Sequence, residues 1–248
     1  MNDAGCKLAY SAVRIIVLCT LCDLVSLNLV CAAEVHRLDI VFSGNHRSYY
    51  LYVPDSVKPE GKSPLLVLFH GSNRRGASLV KSWLGLSSRE GIILVAPDSL
   101  NSAQWNPVVD SPEFIRQIIG NVLKYGVDKR RIYLFGHSAG GVYALYLSLI
   151  ESQYYAATAV HAGAFLESAE PLVSQALRKI PIAIWVGTND SYVSPQRARS
   201  TKDTLEKYGF CVQLNEMAGY GHDYYSHAND INKSVWNFLR IYTLPQPS

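Results

Sequence analysis

Charge is scarce in this chain of 248 residues: 17% are Asp, Glu, Lys or Arg, against roughly 25% in an average globular domain. A disordered tail or a coiled coil needs far more charge, and 48% hydrophobic residues exclude both. Long runs of one sign are missing too. The longest basic stretch, Lys129-Arg130-Arg131, reads as a solvated loop rather than a nucleic-acid patch. With 23 basic and 20 acidic residues the net charge is +3, and nothing calls for DNA or RNA as a partner. Cysteine is nearly absent from the body of the chain. Cys6, Cys19, Cys22 and Cys31 crowd the N-terminus, leaving only Cys211 beyond residue 33. One thiol cannot close an internal disulfide, so the fold rests on its core, which a chain of this length can build. Cys211, in Phe210-Cys211-Val212, reads as a buried strand residue rather than a nucleophile.

An uninterrupted apolar run of the ~20 residues that a membrane span needs is also missing. Lys7 and Arg14 precede an apolar run over residues 15–22; Asp23 breaks it, and it resumes to end at Val30-Cys31-Ala32-Ala33. A basic start, an apolar stretch and small residues before Glu34 match a secretory signal peptide over residues 1–33, cleaved near Ala33. The expected location is secreted or periplasmic, with membrane contact only transient through this segment. The less favoured alternative is an anchor through residues 15–32. Cleavage removes Lys7 and Arg14 together with Asp3 and Asp23, so the charge stays +3.

What remains, residues 34–248, alternates strand and helix without repeat, low-complexity tract or linker. Two short alternating runs, 38–42 and 49–53, flank Ser43-Gly44-Asn45 and signal a hairpin. Continuous apolar runs at 64–69, 92–96, 131–135, 157–160 and 182–186 read as buried strands. Residues 212–217 form a further strand. Helical periodicity covers 112–125 (Ser111 as cap), 140–149, 195–207 (Ser194 as cap) and 230–242. Non-alternating strands separated by helices predict one α/β domain, with a mostly parallel central sheet, helices on both faces and an N-terminal antiparallel hairpin.

Chemistry concentrates at Gly136-His137-Ser138-Ala139-Gly140-Gly141. A strand, then G-x-S-x-G, then a helix is the setting of a nucleophile elbow. Small residues at Gly136 and Gly140 let the chain turn tightly enough to lift the Ser138 hydroxyl clear of the sheet. The next amide, on Ala139, is then a candidate oxyanion donor. A serine nucleophile needs a base, and the base an orienting acid, in the chain order Ser, acid, His. Of the acids after Ser138, only Asp190 directly follows a buried-strand run, in Val186-Gly187-Thr188-Asn189-Asp190, at a strand end where α/β sites lie. His222, in the glycine-rich Gly219-Tyr220-Gly221-His222-Asp223, is the favoured base over His227. His161 precedes the acid and fails the order. The second oxyanion amide is expected from Ser72, in Phe69-His70-Gly71-Ser72-Asn73, with His70 structural. Arg74 and Arg75 read as solvated charges more readily than as a clamp on an anionic substrate. Trp105 is either a substrate wall or packing under its loop. Tyr220, Tyr224 and Tyr225 flank His222 as candidates for the mouth, Tyr220 being taken as substrate-binding.

These residues resemble the α/β-hydrolase superfamily, and within it the esterases that include polyhydroxybutyrate depolymerases and feruloyl esterases. The resemblance spans roughly residues 36–242. It is carried by Asn45-His46-Arg47-Ser48-Tyr49-Tyr50-Leu51-Tyr52-Val53-Pro54, by Pro97-Asp98 with Gln104-Trp105-Asn106, and by the segment Tyr125 to Tyr133 leading into the elbow. Members commonly carry a cysteine in the oxyanion loop, where this chain has Ser72, and further disulfides. Depolymerases acting on solid polymer add a binding module; none is seen before Ser248, so a small ester is the expected substrate. The resemblance implies a serine esterase acting on short acyl or aromatic-acyl esters through an acyl-enzyme, without metal or cofactor. The rival readings are a serine peptidase on the same fold and a non-catalytic, hydrolase-like binding protein.

Overall fold

The computed structural model describes residues 34–165 and 169–246, so the candidate signal segment lies outside the described residues. Eight strands form one sheet in the order β1-β2-β4-β3-β5-β6-β7-β8. Strands β1 (His36–Phe42) and β2 (Asn45–Tyr52) are antiparallel, with Phe42 opposite Asn45. The turn between them, Ser43-Gly44, places both residues at positive φ (48° and 76°), as a tight primed hairpin turn requires. β2 runs antiparallel to β4 (Ile93–Pro97). From there β3 (Ser63–Phe69), β5 (Val127–His137), β6 (Ala157–His161), β7 (Ile182–Gly187) and β8 (Val212–Met217) are parallel. This is the expected sheet, hairpin included.

Both faces are covered, which is why the central strands lack alternation. Along β3, Leu65, Val67 and Phe69 point to one core and Leu66 and Leu68 to the other. The first core is closed by α2 (Pro112–Val122), α3 (Ala139–Ile150), α4 (Glu170–Gln175) and α5 (Pro195–Lys207); the second by α1 (Gly76–Glu90) and α6 (Ala228–Leu239). Ser194 caps α5 as expected, accepting from the Arg197 amide at 3.3 Å. Among the described residues, no helix is long and apolar enough to cross a membrane.

Helix α1 has no counterpart in the sequence reading. Its sequence GASLVKSWLGLSSRE is rich in glycine and serine, weak helix formers, and Arg75 before it supplies no side-chain cap. The cap comes from 22 residues away, where Asp98 Oδ1 accepts the Gly76 amide at 2.8 Å, a favourable place for a carboxylate. Burial of Leu79, Val80 and Trp83 then holds the helix to the sheet. Cys211 is a second correction. It is exposed because β8 is an edge strand: Phe210 and Val212 face inward, which turns the intervening side chain to solvent.

Candidate active site

Ser138 stands at the C-terminal end of β5 with φ 55° and ψ −120°, a conformation that L-residues avoid and that functional turns retain. Two glycines make the turn possible. A Cβ on Gly136 would lie 2.1 Å from the Gly140 carbonyl oxygen, and one on Gly140 would lie 2.0 Å from the Phe69 oxygen. The elbow is therefore pressed against β3 on one side, while the Ser138 amide donates to the His161 carbonyl at 2.9 Å on the other.

The acid loop leaves β7 and the histidine loop leaves β8, and backbone hydrogen bonds join the two. Thr188 donates to Met217 O at 3.0 Å and Asn189 to Tyr220 O at 2.8 Å. A Cβ on Gly187 would meet Tyr220 O at 2.2 Å, so only glycine lets the loops close to this distance. The result brings Asp190 and His222 together, with the imidazole Nδ1 at 2.8 Å from Oδ2 and 3.0 Å from Oδ1. The Asp190 carboxylate has no exposed side-chain surface, and a buried charge must be hydrogen-bonded. It accepts the Tyr192 and Val193 amides at 2.9 and 2.8 Å as well as the imidazole. With the Nδ1 proton directed at the carboxylate, Nε2 is left as an acceptor for the Ser138 hydroxyl, 2.9 Å away. Such a chain leaves a hydroxyl poised to lose its proton to an oriented base.

Gly71 carries the loop after β3 to this point: a Cβ there would meet His137 Cδ2 at 3.0 Å and Ser138 Cβ at 3.4 Å. Ser72, next along, lines one cavity with Ser138 and His222, and Ala139 follows Ser138 at the start of α3. Buried His70 pins the loop, donating from Nδ1 to Gly71 O (2.9 Å) and accepting the Ser99 amide at Nε2 (3.1 Å). Burial pushes its pKa down, which keeps it neutral for that structural task.

Trp105 packs under its loop and also borders a cleft. Its Nε1 donates to His70 O at 2.9 Å, and its ring stacks on Tyr143 with centroids 4.8 Å apart. With Val142, Tyr143, Tyr146, Phe165 and Leu172 it also lines an apolar cleft of about 360 Å³ that reaches Ala139. Its loop is fastened by a buried ion pair between Arg47 and Asp110. Asp110 also accepts the Leu100 and Asn106 amides, both at 2.9 Å.

Tyr220 lies elsewhere. Its ring rests on His227, centroids 4.4 Å apart, and it borders a separate cavity with Trp185 and Met217, because the backbone of its loop, not its side chain, faces the acid loop. Tyr224 is fully buried and bonded to Asn232 at 2.5 Å. Of the three tyrosines, only Tyr225 borders the Ser138 cavity, a space of about 440 Å³ that it shares with Arg74, Tyr192 and Asp223. Tyr192, whose ring lies 4.8 Å from that of His222, was missed by sequence reasoning; its one signal is its position two residues after Asp190.

Behind the site, His137 and His161 face each other with their Nδ1 atoms 3.0 Å apart. Burial, and then the neighbouring imidazoles, lower their pKa values to about 3 and about 4. Both are therefore neutral, and one donates to the other. No group of side chains suited to hold a metal ion occurs among the described residues.

The model of the phospholipase/carboxylesterase family matches residues 92–242. The chain is 29% identical over 240 residues to a bifunctional acetylxylan esterase/xylanase of Neocallimastix patriciarum, covering 82% of this chain and 34% of that protein. It is 25% identical over 151 residues to a poly(3-hydroxybutyrate) depolymerase of Ralstonia pickettii, covering 50% and 30% respectively. The chain thus spans about a third of the length of these curated relatives. Among solved structures, a thermostable esterase superposes with TM-score 0.69 at 21% identity, over 86% of this chain and 64% of that one. Esterase 2 of Thermogutta terrifontis, phosphorylated by paraoxon, gives 0.68 at 17% identity, over 88% and 97%. At these identities, the structural likeness speaks for the fold.

Proposed function

The chain belongs to the phospholipase/carboxylesterase family of α/β-hydrolases, and from that premise we propose that it is a serine esterase working through Ser138, His222 and Asp190. The observation that carries this is the unbroken hydrogen-bond chain from the strained serine through the imidazole to a buried carboxylate. In the reaction, Ser138 Oγ attacks the ester carbonyl while His222 Nε2 takes its proton. The Ser72 and Ala139 amides receive the oxyanion, each such donor being worth ~10²–10³ in rate. His222 then returns the proton to the leaving alcohol, and water, activated by the same imidazole, releases the acid. Asp190 holds the tautomer and stabilises the imidazolium that forms in between.

Short acyl or aromatic-acyl esters suit the site. The cleft of about 360 Å³ beside Ala139 has aromatic walls on which a planar acyl group stacks, and the relative from Neocallimastix is named an acetylxylan esterase/xylanase. No bound partner beyond a small-molecule ester is needed, and no metal or cofactor enters any step. Export through residues 1–33 belongs to the same reading: the expected mature N-terminus near Glu34 is checked by mass spectrometry of exported protein, and retention of those residues contradicts it. Activity is tested by p-nitrophenyl acetate hydrolysis with wild type and Ser138→Ala. Turnover by the first and none by the second is expected; equal turnover by both overturns the proposal.

A further inference from the structure

Two cavities flank the elbow, one bordered by Ser138 and the other by Ala139, and they differ in chemistry. The apolar cleft reaches Ala139 and is not bordered by His222. The other is bordered by His222, Ser72, Arg74, Tyr192, Asp223 and Tyr225. On the esterase reading, on which this inference rests, His222 Nε2 hands its proton to the departing oxygen and must lie within hydrogen-bond reach of it. The leaving alcohol therefore occupies the cavity that His222 borders, and the acyl group the apolar one.

Among the described residues, Arg74 is the only Arg or Lys bordering that alcohol cavity. Its neighbour Arg75 takes Asp98 as a partner at 3.3 Å, whereas Arg74 has no carboxylate within ion-pairing distance among the described residues. It is nonetheless held: its guanidinium lies over the Tyr225 ring, 4.8 Å from the centroid, and the Tyr225 hydroxyl is 3.1 Å from Ser78 Oγ. A planar fork of donors, oriented before substrate arrives and lacking an anion of its own, matches a carboxylate. Asp223 borders the same space, but its oxygens are engaged by the Ser226 hydroxyl and the Tyr225 amide (3.0 Å). Its charge weighs against any anion in the pocket, and about twice as heavily against a dianionic phosphate as against a monoanionic carboxylate.

We infer that the alcohol side of the site selects leaving groups that carry a carboxylate, so that the preferred substrates are O-acylated hydroxycarboxylic acids read by Arg74. The experiment compares kcat/KM for 4-acetoxybenzoate with that for its neutral isostere 4-acetoxybenzamide, in wild type, Arg74→Gln and Arg74→Glu, each ratio corrected for alkaline hydrolysis of the same ester. Wild type is expected to favour the carboxylate. Loss of one charge-assisted hydrogen bond should lower that ratio by about tenfold in Arg74→Gln and further in Arg74→Glu. A corrected ratio unmoved by both substitutions, with both esters turned over, overturns the inference and leaves the esterase reading intact. No turnover of either ester by folded wild type overturns the esterase reading, and the inference with it.

Discussion

The loops that hold the proposed catalytic groups and the loop that carries Trp105 are fixed by different means. Around Ser138, Asp190 and His222 the backbone does the fixing. Gly136, Gly140 and Gly187 permit approaches closer than any Cβ allows, and main-chain hydrogen bonds tie the acid loop to the histidine loop. Of the three side chains only Asp190 adds to this frame, through the Tyr192 and Val193 amides it accepts. The loop over residues 98–110 is instead held largely through side chains, foremost Arg47, bonded to Asp110 and to the carbonyls of Val109 and Asp98, both at 3.0 Å. On the proposed reading, the first region separates catalysis from stability and the second joins recognition to stability.

The sharpest way to break this contrast is Ser138→Ala. It should lower ester turnover by ~10³-fold or more while unfolding free energy stays within ~1–2 kcal/mol of wild type, read by p-nitrophenyl acetate hydrolysis and urea melts. A large loss of stability would show that the elbow leans on its serine. Asp190→Asn comes next, with a loss of ~10²–10⁴ in kcat. Combined with Ser138→Ala it should add almost nothing further, because members of one unit are non-additive; multiplicative losses in the double variant would contradict that. Arg47→Met is the opposite kind of change. It strands the buried Asp110 carboxylate and should cost ~3–5 kcal/mol in a denaturant melt, and the displaced Trp105 should show as altered fluorescence. A silent Arg47→Met would mean that the loop holds itself.

A pH-dependent effect belongs to the backbone-held region. His137 and His161 have folded pKa values of about 3 and about 4, below the ~6.5 of an unfolded histidine. The unfolded chain therefore binds more protons once pH falls below ~6.5, and the stability that their neutral burial permits declines from there toward pH 4 and 3. The slope should approach ~2–3 kcal/mol per pH unit for the pair, and His161→Gln should make it shallower. An unchanged slope in that variant would place the titration elsewhere. Smallest of all, Trp105→Ala should reduce kcat/KM for p-nitrophenyl esters of aromatic acids several-fold more than for the acetate, by removal of one stacking wall worth ~0.5–1.5 kcal/mol. Efficiency should also fall from acetyl and butyryl toward palmitoyl.

The same division explains what could be read from sequence. The sheet was legible because its strands, buried on both faces, are unbroken apolar runs, and the elbow because all its parts lie within six consecutive residues. Asp190 and His222 stood out through chain order and flanking glycines. Helix α1 was invisible, since its cap, Asp98, is distant in the chain and its own residues favour loops. The reading of Tyr220 failed for a geometric reason: sitting two residues from His222 says nothing about which way a ring turns once the backbone carbonyl is committed to Asn189. Tyr192 on His222 and the Arg47–Asp110 pair are contacts between residues 30 and 63 positions apart, which no local pattern encodes. Cys211 was assigned to the core because an apolar run at a sheet edge was read as fully buried, when only its alternate residues face inward.

The most direct test of the central claim is covalent. Wild type, Ser138→Ala and His222→Ala would be treated with a serine-reactive fluorophosphonate, the rate of adduct formation followed by intact mass, and the modified residue located by peptide mapping. The account predicts a single adduct on Ser138, absent from Ser138→Ala and formed at least ~10²-fold more slowly in His222→Ala, where the general base is gone. An adduct on another residue, or labelling of Ser138 that is as fast without His222 as with it, would contradict it.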